Sequence, residues 1–136
     1  APGTRTSALF TRNAFRAAPV QLAKAHLILA EALPRYLLIN TGNANAGTGE
    51  AGMQSAGDCC AALAQLTETD ATAVLPFSTG IIGELLPTEQ ISAALPTALD
   101  DLRDTGWERA AGAILNLLGP ELGPETESNE HGGVRS

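Results

Sequence analysis

The chain has 136 residues, of which 44% are apolar and only 4% aromatic, and its net charge is −7. That is enough for one modest domain whose core is filled by Ala, Leu and Ile rather than by rings. The negative surface disfavours a nucleic-acid backbone or an anionic membrane as partner, and no run approaches the roughly 20 apolar residues of a membrane span.

Arg5, Arg12 and Arg16 precede no continuous apolar stretch, so no signal peptide is expected. The first residue is Ala1, and the chain reads as a piece of a longer or processed product. Ser7–Asn13 alternates as a strand would. Pro19 opens a helical stretch carrying Val20, Leu22, Ala23, Leu27 and Ala30, and Pro34 stops it. Tyr36–Ile39 reads as a strand. Met53, Ala56, Cys59, Cys60, Leu63 and Leu66 recur at helical spacing, which predicts a helix over 52–66. Adjacent cysteines on a helix point about 100° apart and make no normal bridge. With no second pair and no histidine cluster, Cys59 and Cys60 read as reduced, at least partly packed thiols, which fits the cytoplasm.

Val74–Phe77 is a short apolar run bounded by turn formers and reads as a buried strand. Pro87-Thr88-Glu89 opens a helix with the stripe Ile91, Ala94, Leu95, Ala98, Leu99 and Leu102. Asp100, Asp101 and Asp104 then fall on a solvated face. Thr105-Gly106-Trp107-Glu108 has the capping-box pattern and starts another helix, with Trp107, Ala111, Ile114 and Leu118 on one face. Strands alternating with helices give an α/β class. From Gly119 the chain turns polar and glycine-rich, so a domain over 1–118 and a disordered tail over 119–136 are expected.

Two segments carry the chemistry. Asn40-Thr41-Gly42-Asn43-Ala44-Asn45-Ala46-Gly47-Thr48-Gly49 follows the first predicted strand, and Ser78-Thr79-Gly80-Ile81-Ile82-Gly83 follows the second. Glycine at a strand exit lets backbone N–H groups point into a cavity, where they can bind an anion or a developing oxyanion. Taken alone, Ser78-Thr79-Gly80 reads first as an ordinary strand-to-helix turn, since Gly and Thr are common turn residues.

These segments, with Thr11-Arg12-Asn13-Ala14-Phe15-Arg16-Ala17-Ala18-Pro19-Val20 before them and Glu84-Leu85-Leu86-Pro87 after, stand in the order and at the spacing of one family. The chain resembles the N-terminal part of ornithine acetyltransferase, the bifunctional glutamate N-acetyltransferase of arginine biosynthesis. The resemblance runs from about Ser7 to about Leu115. Asn116-Leu117-Leu118-Gly119-Pro120 then replaces the family's threonine-rich continuation, which suggests a truncated or shifted reading frame or a diverged tail.

The resemblance implies an α/β fold of the DmpA and ornithine acetyltransferase type, a mixed sheet with packed helices, here as an incomplete domain. It implies a precursor that cuts itself before a threonine, which becomes the N-terminal nucleophile of a β chain. That threonine takes acetyl from N-acetylornithine and passes it to glutamate, with acetyl-CoA open as a second donor. The oxyanion hole maps onto Thr79 and Gly80. No threonine of this chain stands in the nucleophile's context, so the isolated chain is expected to be inactive. The expected partner is the β chain of the same precursor, in a heterotetramer, and no metal or organic cofactor is implied.

Asn43 and Asn45 are candidates for substrate binding, or equally for satisfying loop backbone groups. Gly47-Thr48-Gly49-Glu50-Ala51-Gly52 fits a dinucleotide-binding fingerprint, which makes an NAD-binding unit the rival enzyme reading. Its first glycine lies eight residues beyond Ile39, however, and Val74–Phe77 ends in Ser78 rather than in an acid for the ribose. Pro76-Phe77-Ser78-Thr79-Gly80 resembles a nucleophile elbow only in Ser78 and Gly80. His26 and His131 offer no triad. A non-catalytic acidic interaction domain is the remaining alternative.

Overall fold

The computed structural model describes residues 5–31 and 33–115. Residues 5–17 form neither helix nor strand. The alternation at Ser7–Asn13 therefore does not become a strand: the segment pairs with neither β-strand among the described residues, and alternation alone does not satisfy an extended backbone. Helix α1 spans Ala18–Leu29, with Pro19 in its first turn, where a missing N–H costs nothing.

Strand β1 (Tyr36–Asn43) leads to helix α2 (Gly49–Leu66), and a 3₁₀ turn at Ala71–Ala73 delivers strand β2 (Val74–Ile81). The Asp70 side chain caps that turn. It accepts from the Thr72 N–H at 2.8 Å and the Thr72 hydroxyl at 2.7 Å, and these bonds hold its carboxyl below the ordinary range. Helix α3 (Thr88–Asp100) and helix α4 (Trp107–Leu115) follow. The predicted tail, Leu118 and His131 lie outside the described residues.

β1 and β2 pair in parallel, from Tyr36 opposite Val74 to Asn43 opposite Ile81. The α/β expectation holds: among the described residues, helices pack with a small sheet made of this parallel pair. Both strands are longer than the apolar runs that announce them. Asn40–Asn43 and Ser78–Ile81, expected as loops beyond the strands, are paired strand residues.

The core lies between α2 and one face of this pair. Ala56, Cys59, Cys60, Leu63 and Ala64 are buried along α2 at the spacing of a single helical face. Cys60, Leu63 and Ala64 cluster with Val74 and Leu95, and Leu22, Tyr36 and Leu38 pack around them. Leu66, expected on this stripe, is instead exposed. Burial pushes the Cys60 thiol up to about 12, with neighbouring Cys59 adding to the shift. Both cysteines are free and buried. His26 of α1 is buried too, and its Nδ1 donates to the Val74 carbonyl at 2.7 Å.

α3 buries less than its pattern promises. Only Leu95 is fully buried; Ile91 and Leu99 are half-buried, while Ala94, Ala98 and Leu102 are exposed. α4 has no buried residue. Asp101 accepts from Arg109 at 2.9 Å, which ties the end of α3 to α4.

Candidate active site

The two glycine-bearing segments meet side by side. Register places Asn40 opposite Ser78, Thr41 opposite Thr79 and Gly42 opposite Gly80. A polar residue, a threonine and a glycine thus stand in the same order on both strands. Ser78 Oγ donates to Asn40 Oδ1 at 2.6 Å, and Asn40 Nδ2 donates to the Asn43 carbonyl at 3.1 Å. Ser78 is thereby committed to holding the strands together, which removes it as an elbow nucleophile.

Gly42 has φ +106° and Gly80 φ +132°, values that side chains rarely adopt. The two glycines differ in their surroundings. A Cβ on Gly42 would meet nothing within 4 Å, whereas one on Gly80 would overlap the Gly42 carbonyl and lie 2.8 Å from the Asn43 nitrogen. Gly80 is therefore fixed both by its backbone conformation and by contact with the neighbouring strand.

Thr79 is half-buried, one residue before this kink. Every buried side-chain polar atom among the described residues has a partner. No hydrogen bond joins the Thr79 hydroxyl to another described residue.

Beyond the glycines the segments remain locked. The Ala44 N–H donates to the Ile81 carbonyl at 2.9 Å, and the Gly83 N–H to the Ala46 carbonyl at 2.8 Å.

Asn43 and Asn45 part company. Asn43 is half-buried at the site, and its Nδ2 donates to the Leu85 carbonyl at 3.2 Å and to Glu84 Oε2 at 3.4 Å. Asn45 is 0% exposed, with φ +49°. Its Nδ2 donates to the Gly52 carbonyl and its Oδ1 accepts from the Thr48 hydroxyl, each at 2.8 Å. Its own carbonyl accepts from the Ala18 N–H at 3.3 Å. Asn45 therefore ties the loop to α1 and α2, the second of the two roles open to it from sequence. Gly52, the last glycine of the dinucleotide-like pattern, sits against these groups: a Cβ there would overlap Thr48 Oγ1. The pattern serves loop packing.

Sequence reasoning missed the joint role of Asn40 and Ser78 and the dependence of Gly80 on Gly42. The repeated order Asn-Thr-Gly and Ser-Thr-Gly, at two strands of one βαβ unit, was the available signal. Among the described residues, no group of three or more His, Cys, Asp or Glu could hold a metal ion. No described helix is long and apolar enough to cross a membrane.

The pattern that defines the ArgJ family matches residues 1–116. The chain belongs to the ArgJ family. The arginine biosynthesis bifunctional protein ArgJ of Pseudomonas syringae pv. tomato is 56% identical over 115 residues, and that of Methylococcus capsulatus is 53% identical over the same length. Each match takes in 85% of this chain and 28% of the relative, so the chain spans little more than a quarter of these relatives.

Two solved structures are also similar. The ornithine acetyltransferase of Mycobacterium tuberculosis, complexed with ornithine, superposes with a TM-score of 0.69 at 34% identity, over 84% of this chain and 62% of that one. ArgJ of Bacillus halodurans gives 0.64 at 30% identity, over 70% of this chain and 49% of that one. ArgJ membership sets aside the NAD-binding alternative.

Proposed function

We propose that this chain forms the oxyanion-stabilising part of an acetyltransferase of arginine biosynthesis, which moves acetyl from N-acetylornithine to glutamate. The observation that carries the reading is the paired Thr41-Gly42 and Thr79-Gly80 segment. Register sets Thr79 opposite Thr41 and Gly80 opposite Gly42, and the strands approach so closely there that a Cβ on Gly80 would overlap the Gly42 carbonyl. The ornithine complex of the Mycobacterium relative supports the substrate class.

In this reading a threonine outside residues 1–136 attacks the acetyl carbonyl, and its hydroxyl proton passes to its own amine. The carbonyl oxygen becomes an oxyanion that accepts from Thr79 Oγ1–H and the Gly80 N–H. Collapse breaks the C–N bond, ornithine leaves with the proton, and an acetyl ester remains on the threonine. The glutamate amine then reverses these steps and carries the acetyl away as an amide. No metal or organic cofactor enters the chemistry. Asn43, at the rim, is the substrate-facing amide, and Asn45 holds the loop from within.

The nucleophile comes from a β chain of the same precursor, and the assembly is a heterotetramer. Relative lengths support a divided polypeptide. This chain fills 28% of the curated Pseudomonas relative but 62% of the solved Mycobacterium chain, which is therefore under half as long as the curated relative. The cytoplasm is the expected setting for this biosynthetic step.

The test joins residues 1–115 to the part of the Pseudomonas relative that follows its matched segment. Thr79→Ala in that protein should lower kcat by about 10²–10³, with KM for acetylornithine nearly unchanged, because the hydroxyl acts mainly in the transition state. Thr79→Ser should retain much of the rate. A folded Thr79→Ala enzyme with unaltered kcat returns the segment to a structural turn.

A further inference from the structure

Strand alternation turns Asn40 and Ser78 away from the face that carries Thr41 and Thr79. On that other side Asn40 and Ser78 border a cavity of about 10 Å³ together with Ala56, Cys59 and Leu86, so little water reaches their 2.6 Å hydrogen bond. Among the described residues it is the one side-chain hydrogen bond that joins β1 to β2. The Asn40 amide is used at both ends. Its Oδ1 holds Ser78, and its Nδ2 reaches past Gly42 to the Asn43 carbonyl at 3.1 Å, which spans the positive-φ residue of β1. The two proposed oxyanion donors differ in what fixes them. Gly80 is set by contact with the Gly42 backbone. The Thr79 hydroxyl has no hydrogen bond to a described residue, and a β-branched side chain follows its backbone through a restricted χ1. The neighbouring Ser78 therefore carries the constraint on Thr79.

We propose that Asn40 and Ser78 are positioning residues for the Thr79 hydroxyl: their bond, behind the sheet, sets where that hydroxyl stands relative to the reacting carbonyl. The inference rests on the acetyltransferase reading and adds to it two residues that touch no substrate. Donor geometry matters at the ångström scale, where a misplacement of about 1 Å costs on the order of 100-fold in rate. A bond lost one residue away moves Thr79 by less than that, so the expected loss is about 10-fold, below that of deleting the donor itself. The loss falls on kcat, because the oxyanion develops only after the substrate is bound. An effect routed through Thr79 also vanishes once Thr79 has no hydroxyl, which the effect of a merely structural bond does not.

The experiment uses the protein that joins residues 1–115 to the remainder of the Pseudomonas relative, and measures kcat, KM and the urea midpoint of each variant. Ser78→Ala should lower kcat about 10-fold with KM for acetylornithine nearly unchanged, and Asn40→Ala should lower it at least as much. Ser78→Thr keeps the hydroxyl and should stay within about 3-fold of the parent. Added to Thr79→Ala, Ser78→Ala should lower kcat by no more than about 3-fold further. Thr67→Ala removes a hydroxyl that donates to the Leu63 carbonyl at 2.8 Å at the end of α2, and should lower the urea midpoint without changing kcat. In this chain by itself, Ser78→Ala should lower the amide order parameter of Thr79 in NMR relaxation while Leu38 and Leu75 keep theirs, a readout that needs no catalysis. Unchanged kcat in Ser78→Ala, the same loss in Ser78→Thr, an equal loss with and without Thr79→Ala, or unchanged order at Thr79 overturns the proposal. A kinetically silent Thr79→Ala removes the oxyanion reading and this inference with it. A Thr79-dependent enzyme indifferent to Ser78→Ala removes this inference alone.

Discussion

Glycine-to-alanine substitutions at two positions of this chain should have opposite signs. At Gly80 the φ of +132° lies where a side chain is strained, and the added Cβ would overlap the carbonyl of Gly42 on the paired strand. The obstacle is backbone, which cannot swing aside as the end of a long side chain can. Backbone strain of about 1–3 kcal/mol and overpacking of about 1–3 kcal/mol together give a loss of about 2–6 kcal/mol for Gly80→Ala. That is a large share of the roughly 5–15 kcal/mol that holds an ordinary domain together. Gly57 lies inside α2, and a Cβ there would meet nothing within 4 Å. Gly57→Ala should therefore stabilise the chain by about 0.5–1 kcal/mol, through lower backbone entropy in the unfolded state. Urea denaturation followed by circular dichroism measures both. A Gly80→Ala chain within about 0.5 kcal/mol of the parent would refute the close-approach argument, since that is the range of an unremarkable surface change.

Other outcomes follow from the buried polar groups. Asn45→Ala leaves the Thr48 hydroxyl without its acceptor, removes the bond to Gly52 and keeps a positive φ, so denaturation should report a loss of about 2–4 kcal/mol. The folded chain holds the Cys60 proton more tightly than the unfolded chain does. Its stabilising contribution is complete below pH 9.0 and is lost as pH rises toward about 12, which titrated denaturation would detect as a falling midpoint that Cys60→Ala lessens. Iodoacetamide should modify Cys59 and Cys60 at least about 100-fold more slowly in the native chain than in urea, since a buried, protonated thiol is a poor nucleophile. Labelling at the unfolded rate would mean that α2 does not pack as described.

Some of this protein was legible one segment at a time. The α2 stripe repeats at helical spacing, so Ala56, Cys59, Cys60 and Leu63 announced their own burial. The apolar starts of β1 and β2 were equally plain, and family order gave Thr79 and Gly80 their candidate role. Periodicity and composition act over a few residues, and these features depend on nothing further away.

What remained hidden depends on which distant segments touch. Parallel pairing across 38 residues extended both strands and set Gly42 under Gly80, because the ladder satisfies backbone groups that each segment alone would leave to water or a turn. Asn43 and Asn45 are chemically alike and two residues apart, yet only contact with α1 and α2 buries Asn45 and spends its amide. The same dependence works in reverse at Ser7–Asn13 and along α3 and α4. Their patterns are those of buried elements, but an apolar face is buried only where another surface meets it. The sequence of each element therefore determined what it could become, and the contacts between elements decided which faces closed and which, like that of Ile39 and Phe77, stayed open.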